Sequence, residues 1–130
     1  MKSYILLDNL RFFARHGVGA QETLVGNEFT VSLRLKVNIE QAMQTDNVED
    51  TVSYADIYES VKQEMSVPSK LLEHVSGRIM NRLFEDFPQI EEIKMKLMKR
   101  NPPMGADIEA AGVEIKSTRP YIDPKTGLPF

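Results

Sequence analysis

Three polar side chains stand where hydrophobic patterning does not ask for them: Glu73, Lys99 and Tyr54. Glu73 sits in Leu71-Leu72-Glu73-His74, at the start of an expected helix. A carboxylate there is favoured by the positive end of the helix dipole. The same carboxylate, held rigidly, can also take two parallel hydrogen bonds from a planar N–H/NH₂ edge such as the amidine face of a pterin or guanine. Lys99 leaves an expected strand just before Asn101-Pro102-Pro103. A lysine at a strand end is ordinarily solvated, yet the rigid loop behind this one supplies the positioning that a proton-transferring amine needs. Tyr54, flanked by Val52 and Ser53, reads on pattern alone as a surface aromatic at a helix start. Glu22 reads as a solvated charge in a glycine-bearing loop, His16 as a turn residue before Gly17, and His74 as a partly buried polar group.

Several chemistries are excluded by what is missing. The chain of 130 residues has no cysteine and two histidines far apart in sequence, so neither a disulfide framework nor a structural zinc site is expected. Neither G-x-G-x-x-G nor G-x-x-x-x-G-K-[ST] occurs, which removes the common nucleotide-cradling loops. No cofactor and no metal are expected. Sixteen Lys+Arg against 19 Asp+Glu give a net charge of −3, which disfavours nucleic acid as a partner. No apolar run approaches the roughly 18 residues of a membrane span, and no signal peptide is read before the first strand. A cytoplasmic protein without a membrane partner is the expectation. At this size about two thirds of the unfolded surface can be buried without staples.

The elements that must hold these residues follow from periodicity. Ile5 and Leu7, then Leu10 and Phe12, alternate around a break at Asp8-Asn9, predicting a strand with a bulge from Tyr4 to Arg15. His16 to Gly26 reads as a loop. Phe29, Val31, Leu33, Leu35, Val37 and Ile39 fill successive odd positions with polar residues between them, the pattern of a long strand with one wet face. Helical spacing then runs from Ser53, with Asp56 in a capping arrangement, through Ile57 and Val61 to Met65. Pro68 punctuates, and a second helix is expected from Ser69 or Lys70 to Phe87 on Leu72, Val75, Ile79 and Leu83. Ile93, Met95 and Leu97 mark a third strand, and Ala111, Val113 and Ile115 a fourth. The order is ββααββ, an α+β domain over residues 1–118 with an antiparallel four-stranded sheet and both helices on one face. Residues 119–130 are expected to form a loosely held tail. The long edge strands expose unpaired backbone groups, which ring closure among copies would satisfy.

The runs Arg11-Phe12-Phe13-Ala14-Arg15-His16-Gly17-Val18, Gln21-Glu22, Gly26-Asn27-Glu28-Phe29-Thr30-Val31, Thr45-Asp46-Asn47-Val48, Thr51-Val52-Ser53-Tyr54, Leu71-Leu72-Glu73-His74 and Lys99 with Asn101-Pro102-Pro103 closely resemble bacterial dihydroneopterin aldolases of the folate pathway. The resemblance extends in order from about Tyr4 to Ile115. It implies the tunnelling fold, in which ββααββ subunits form tetrameric rings that stack as an octamer. It also implies roles: Glu73 as pterin anchor, Lys99 and Tyr54 as catalytic residues, and Glu22 as the loop glutamate near the substrate's trihydroxypropyl chain. Leu72, Val52, Ser53, Val18 and Gly19 are the further substrate-binding positions, with Val52, Ser53 and Tyr54 reaching a pocket shared with the adjacent subunit. Met104-Gly105-Ala106 and Ala110-Ala111-Gly112 depart from the usual family pattern.

The reaction so implied is a retro-aldol cleavage of 7,8-dihydroneopterin with C2′ epimerisation beside it. It needs no Schiff base and no metal, because the conjugated C=N of the substrate accepts the electrons. Two alternatives stay open. One is a dihydroneopterin triphosphate epimerase of the same fold, whose phosphates Arg15, Lys96 and Arg100 could meet; the other is a non-catalytic ring that binds pterins or purines through Glu73. A zinc-dependent pyruvoyl-tetrahydropterin synthase is disfavoured, since three histidine ligands would be required.

Overall fold

Alternation of apolar and polar residues sets the longest elements of the chain, whose computed structural model describes residues 1–120. In order these are β1 (Tyr4–Ala14), α1 (Ala20–Val25), β2 (Asn27–Lys36), α2 (Glu40–Thr45), a 3₁₀ turn (Val48–Asp50), α3 (Tyr54–Met65), α4 (Leu72–Asp86), β3 (Glu92–Arg100) and β4 (Ala110–Thr118). The strands form one antiparallel sheet in the order β1-β2-β3-β4. Short helices aside, this is the ββααββ order expected from the sequence.

One face of the sheet is dry. In β2 the side chains of Phe29, Val31, Leu33 and Leu35 are buried, and in β3 those of Ile93, Met95, Leu97 and Lys99. β1 reaches the same face only by changing parity, from Ile5 and Leu7 to Leu10, Phe12 and Ala14. The register shifts between Leu7 and Leu10, and Asn9 takes φ 56° with its N–H on Ser32 Oγ at 2.9 Å. Because side chains alternate with period two, this bulge keeps both halves of the strand facing the core.

The dry face is covered by α3, through Ile57, Val61 and Met65, and by α4, through Val75, Ile79 and Leu83. Tyr58 of α3 stacks on Phe12 of β1 at 5.8 Å between ring centroids. The two helices run antiparallel: Glu64 accepts from Arg78 at 2.9 Å and from Arg82 at 3.1 Å, while Ser60, a turn earlier, donates to Asp86 at 2.9 Å. No helix of the described residues is long and apolar enough to cross a membrane.

Four local expectations need correction. The loop from His16 to Gly26 contains α1, a helix with no buried residue and therefore no periodicity to read. The second strand ends at Lys36 rather than Ile39, the chain turning there into α2. Ser53 occupies the N-cap of α3, but its side chain makes no capping bond. Helix α4 begins at Leu72 rather than at Ser69 or Lys70, because both backbone groups of Ser69 are engaged elsewhere. Past β4, Arg119 is docked by its guanidinium on the carbonyls of Phe84, Phe87 and Ile90 at 2.8 to 2.9 Å. The rest of the expected tail, from residue 121, lies outside the described residues.

Candidate active site

Lys99 is the last inward-facing residue of β3 and stands opposite Phe29 of β2. Its side chain is about 10% exposed, its ammonium lies 5.6 Å from the centre of the Phe29 ring, and it donates to Glu22 Oε2. The other carboxylate oxygen of Glu22 accepts the Gly19 N–H at 3.4 Å. The hydrogen bond from Lys99, with the weaker one from Gly19, holds the Glu22 carboxyl below the usual carboxylate range.

The loop is shaped for this approach. Arg15 donates to the carbonyls of Thr23 and Leu24 and so fixes the end of α1. A Cβ on Gly17 would lie 2.5 Å from Glu22 Oε2, so only glycine lets the glutamate fold back onto the lysine. Val18 and Gly19, on the same loop, are exposed.

Behind the ion pair His16 is fully buried, edge-on to Phe29 at 5.2 Å and 75°. Its Nδ1 accepts the Ser69 N–H at 3.0 Å, and the Gly17 N–H donates to the Ser69 carbonyl at 3.0 Å. An accepting Nδ1 puts the neutral ring's proton on Nε2. Burial first, then the charges of Arg78 and Lys99, pull the His16 pKa down to about 4. The ring is therefore neutral near pH 7. The Ser69 hydroxyl is 2.7 Å from His74 Nδ1 and accepts from Arg78 at 2.9 Å. These bonds bring the first turn of α4, with half-buried Leu72 and exposed Glu73, to the end of the molecule that carries Lys99 and Glu22.

Val52, Ser53 and Tyr54 are not there. Val52 and Ser53 share a surface depression with Asp86, Phe87, Pro88 and Gln89, at the far end of α4, and Tyr54 follows them as the first residue of α3. Glu91 then bonds to the Lys36 carbonyl, and Lys36 faces Glu92, seven residues of strand before Lys99. Seven residues span about 23 Å. Tyr54 is 69% exposed, Val52 buried and Ser53 half-buried. One chain therefore joins Lys99, Glu22, Val18, Gly19, Leu72 and Glu73, and leaves the Tyr54 segment on a separate surface.

The cations considered for phosphates are also placed. Lys96 lies on the wet face of β3 and Arg100 beside it, one strand position from Lys99 and so on the opposite side of the sheet. Arg15 is occupied on α1. Among the described residues no three His, Asp or Glu side chains converge as a metal would need. Ser69 and Gly17 shape the site without any sign in the spacing of the sequence. His16, read from the sequence as a turn residue before Gly17, is instead fully buried behind the ion pair.

A family model described as FolB, dihydroneopterin aldolase, matches residues 5–116. A dihydroneopterin aldolase of Staphylococcus epidermidis is 37% identical over 116 residues, 88% of this chain and 96% of that one. The structure of an E. coli dihydroneopterin aldolase in complex with neopterin superposes with a TM-score of 0.82 at 23% identity, over 88% of this chain and 98% of that one. A Burkholderia dihydroneopterin aldolase bound to guanine gives 0.73 at 19% identity, over 91% and 92%. These two structural likenesses show a shared fold.

Proposed function

The chain belongs to the dihydroneopterin aldolase family of lyases, and from that premise we propose that Glu73 anchors a pterin while Lys99, Glu22 and the Tyr54 of a second copy cleave its side chain. The substrate is 7,8-dihydroneopterin, and the products are 6-hydroxymethyl-7,8-dihydropterin and glycolaldehyde. One observation carries the reading. Lys99, Glu22 and the first turn of α4 converge at one end of the chain, while Tyr54 stands exposed at the start of α3, beside the opposite end of α4.

The chemistry follows from the groups present. Glu73 accepts the two N–H bonds of the pterin amidine edge, and Leu72, Val18 and Gly19 border the ring. A base takes the proton of the 2′-hydroxyl, the C1′–C2′ bond breaks, and glycolaldehyde leaves. The bonding pair enters the conjugated C=N, protonated at N5, and C1′ of the resulting enamine is then reprotonated. Lys99, Tyr54 and ordered water make these transfers. An amine ion-paired with Glu22 is set to hold and pass protons, whereas Schiff-base formation would need it free. The substrate supplies its own electron sink, so no metal is invoked. Re-addition to the other face of glycolaldehyde gives 7,8-dihydromonapterin as a side product.

The assembly we propose is a ring of four with two rings stacked. Ring closure pairs the free edges of β1 and β4 and brings one copy's Val52-Ser53-Tyr54 toward the next copy's Lys99. A triphosphate substrate finds no support, since Lys96 and Arg100 lie across the sheet from Lys99. The test is turnover of 7,8-dihydroneopterin beside its triphosphate, before and after dialysis against a chelator. Glycolaldehyde release from the unphosphorylated substrate, unchanged by chelation, is the expected result. Preference for the triphosphate, or activity restored only by added Zn²⁺, would overturn it.

A further inference from the structure

Ser69 has all its polar groups engaged, and each bond leads to a different part of the site. Its N–H goes to His16 Nδ1, its carbonyl takes the Gly17 N–H, and its hydroxyl meets His74 and Arg78. Arg78 continues the connection by donating to the Val67 carbonyl at 2.7 Å and the Glu64 carbonyl at 2.9 Å. His16 and Gly17 lead directly into the loop of Glu22. His74 follows Glu73 in the chain. The approach from α3 to α4, residues 66–71, is thus tied to the end of β1 at one residue.

We propose that His16 and Ser69 are positioning residues, forming a joint that fixes the pterin-anchoring first turn of α4 against the Lys99–Glu22 pair. The proposal rests on the functional reading above for its effect on binding, and on geometry alone for the joint. His16 touches no substrate in this account. Its ring is sealed behind Phe29, and its accepting nitrogen is spent on a backbone donor that burial would otherwise leave unpaired. Ser69 is buried as well, and its hydroxyl bridges His74 and Arg78.

Three variants separate positioning from mere stability. His16→Leu keeps apolar volume and removes the acceptor. His16→Asn restores an acceptor near the Nδ1 position. Ser69→Ala keeps the backbone bonds and cuts the links to His74 and Arg78. Neopterin affinity is measured by fluorescence titration, together with hydrogen exchange at the Ser69 amide and at the His74 and Val75 amides, which bond to the Leu71 carbonyl. His16→Leu and Ser69→Ala should weaken neopterin binding about tenfold, the equivalent of roughly 1.4 kcal/mol, with the single-turnover rate at saturation within about threefold. His16→Leu should expose the Ser69 amide to exchange, and His16→Asn should recover both affinity and protection. Affinity within twofold of wild type in His16→Leu, or His16→Asn no better than His16→Leu, would overturn the joint. A wild type that binds no neopterin would instead overturn the functional reading, and the exchange data would then decide the joint by themselves.

Discussion

Glu22 and Lys99 lie 77 residues apart in the chain and meet as an ion pair where α1 folds over the exit of β3. Lys99 holds the Glu22 carboxyl below its ordinary value. For a carboxylate depressed in the folded state, the stabilisation is complete above the unfolded pKa and is lost as pH falls through the folded one. The pair should therefore contribute fully above about pH 4.5 and fade below it. Thermal unfolding of wild type and Glu22→Gln, run from pH 7 to pH 3, should show a constant gap that closes only below about 4.5. No gap at pH 7, or a gap that widens as the pH falls, would separate the two residues.

His16 has its own acid window. Its folded pKa of about 4 lies below that of an unfolded histidine, so the unfolded state binds the proton that the folded state refuses. Folding is unpenalised above about pH 6.5 and increasingly penalised between about 6.5 and 4. The charges that act on the ring are those of Arg78 on α4 and Lys99 on β3, Arg78 being paired with Glu64 and Lys99 with Glu22, while His74 meets the same Ser69 through its hydroxyl. Stability of wild type should decline across it. His16→Asn should be flatter there, and an unchanged slope would show that His16 does not carry the decline.

Replacing Glu73 with Gln turns one acceptor into a donor against the amidine edge of the pterin. Neopterin binding should weaken by about 2 to 4 kcal/mol in a fluorescence titration. An affinity within about twofold of wild type would remove Glu73 as the anchor.

Replacing Lys99 with Met should spare neopterin affinity more than turnover. The chemical step should slow by on the order of 10² to 10⁴ in single-turnover measurements. A rate unaffected by the change would reject the assignment.

Much of this was legible in the sequence because it is periodic. Four odd positions in β2 and three in β3 announced the sheet, and the Asp8-Asn9 break announced the bulge that Asn9 makes. Helix α1 was not legible, since it buries nothing and leaves no apolar stripe. The late start of α4 was hidden for a related reason: Ser69 looks like an N-cap but spends its bonds on His16 and Gly17, partners more than fifty residues away. Lys99 could be seen as a charge out of pattern, whereas Glu22 read as a solvated loop charge. Their pairing could not be seen, because spacing says nothing of a contact between a loop and a strand end. Nor could spacing show that Tyr54 lies a helix length from Lys99; that separation belongs to the antiparallel packing of α3 on α4.

The central claim is that the site is completed between copies, and subunit mixing tests it most directly. Tyr54→Phe and Lys99→Met proteins, each impaired alone, are partly unfolded together and reassembled. With random 1:1 mixing about a quarter of the interfaces should carry Tyr54 from one chain and Lys99 from another, restoring that share of wild-type turnover of 7,8-dihydroneopterin in particles well above monomer size. No recovery despite demonstrated exchange, or a fully active monomer, would contradict it.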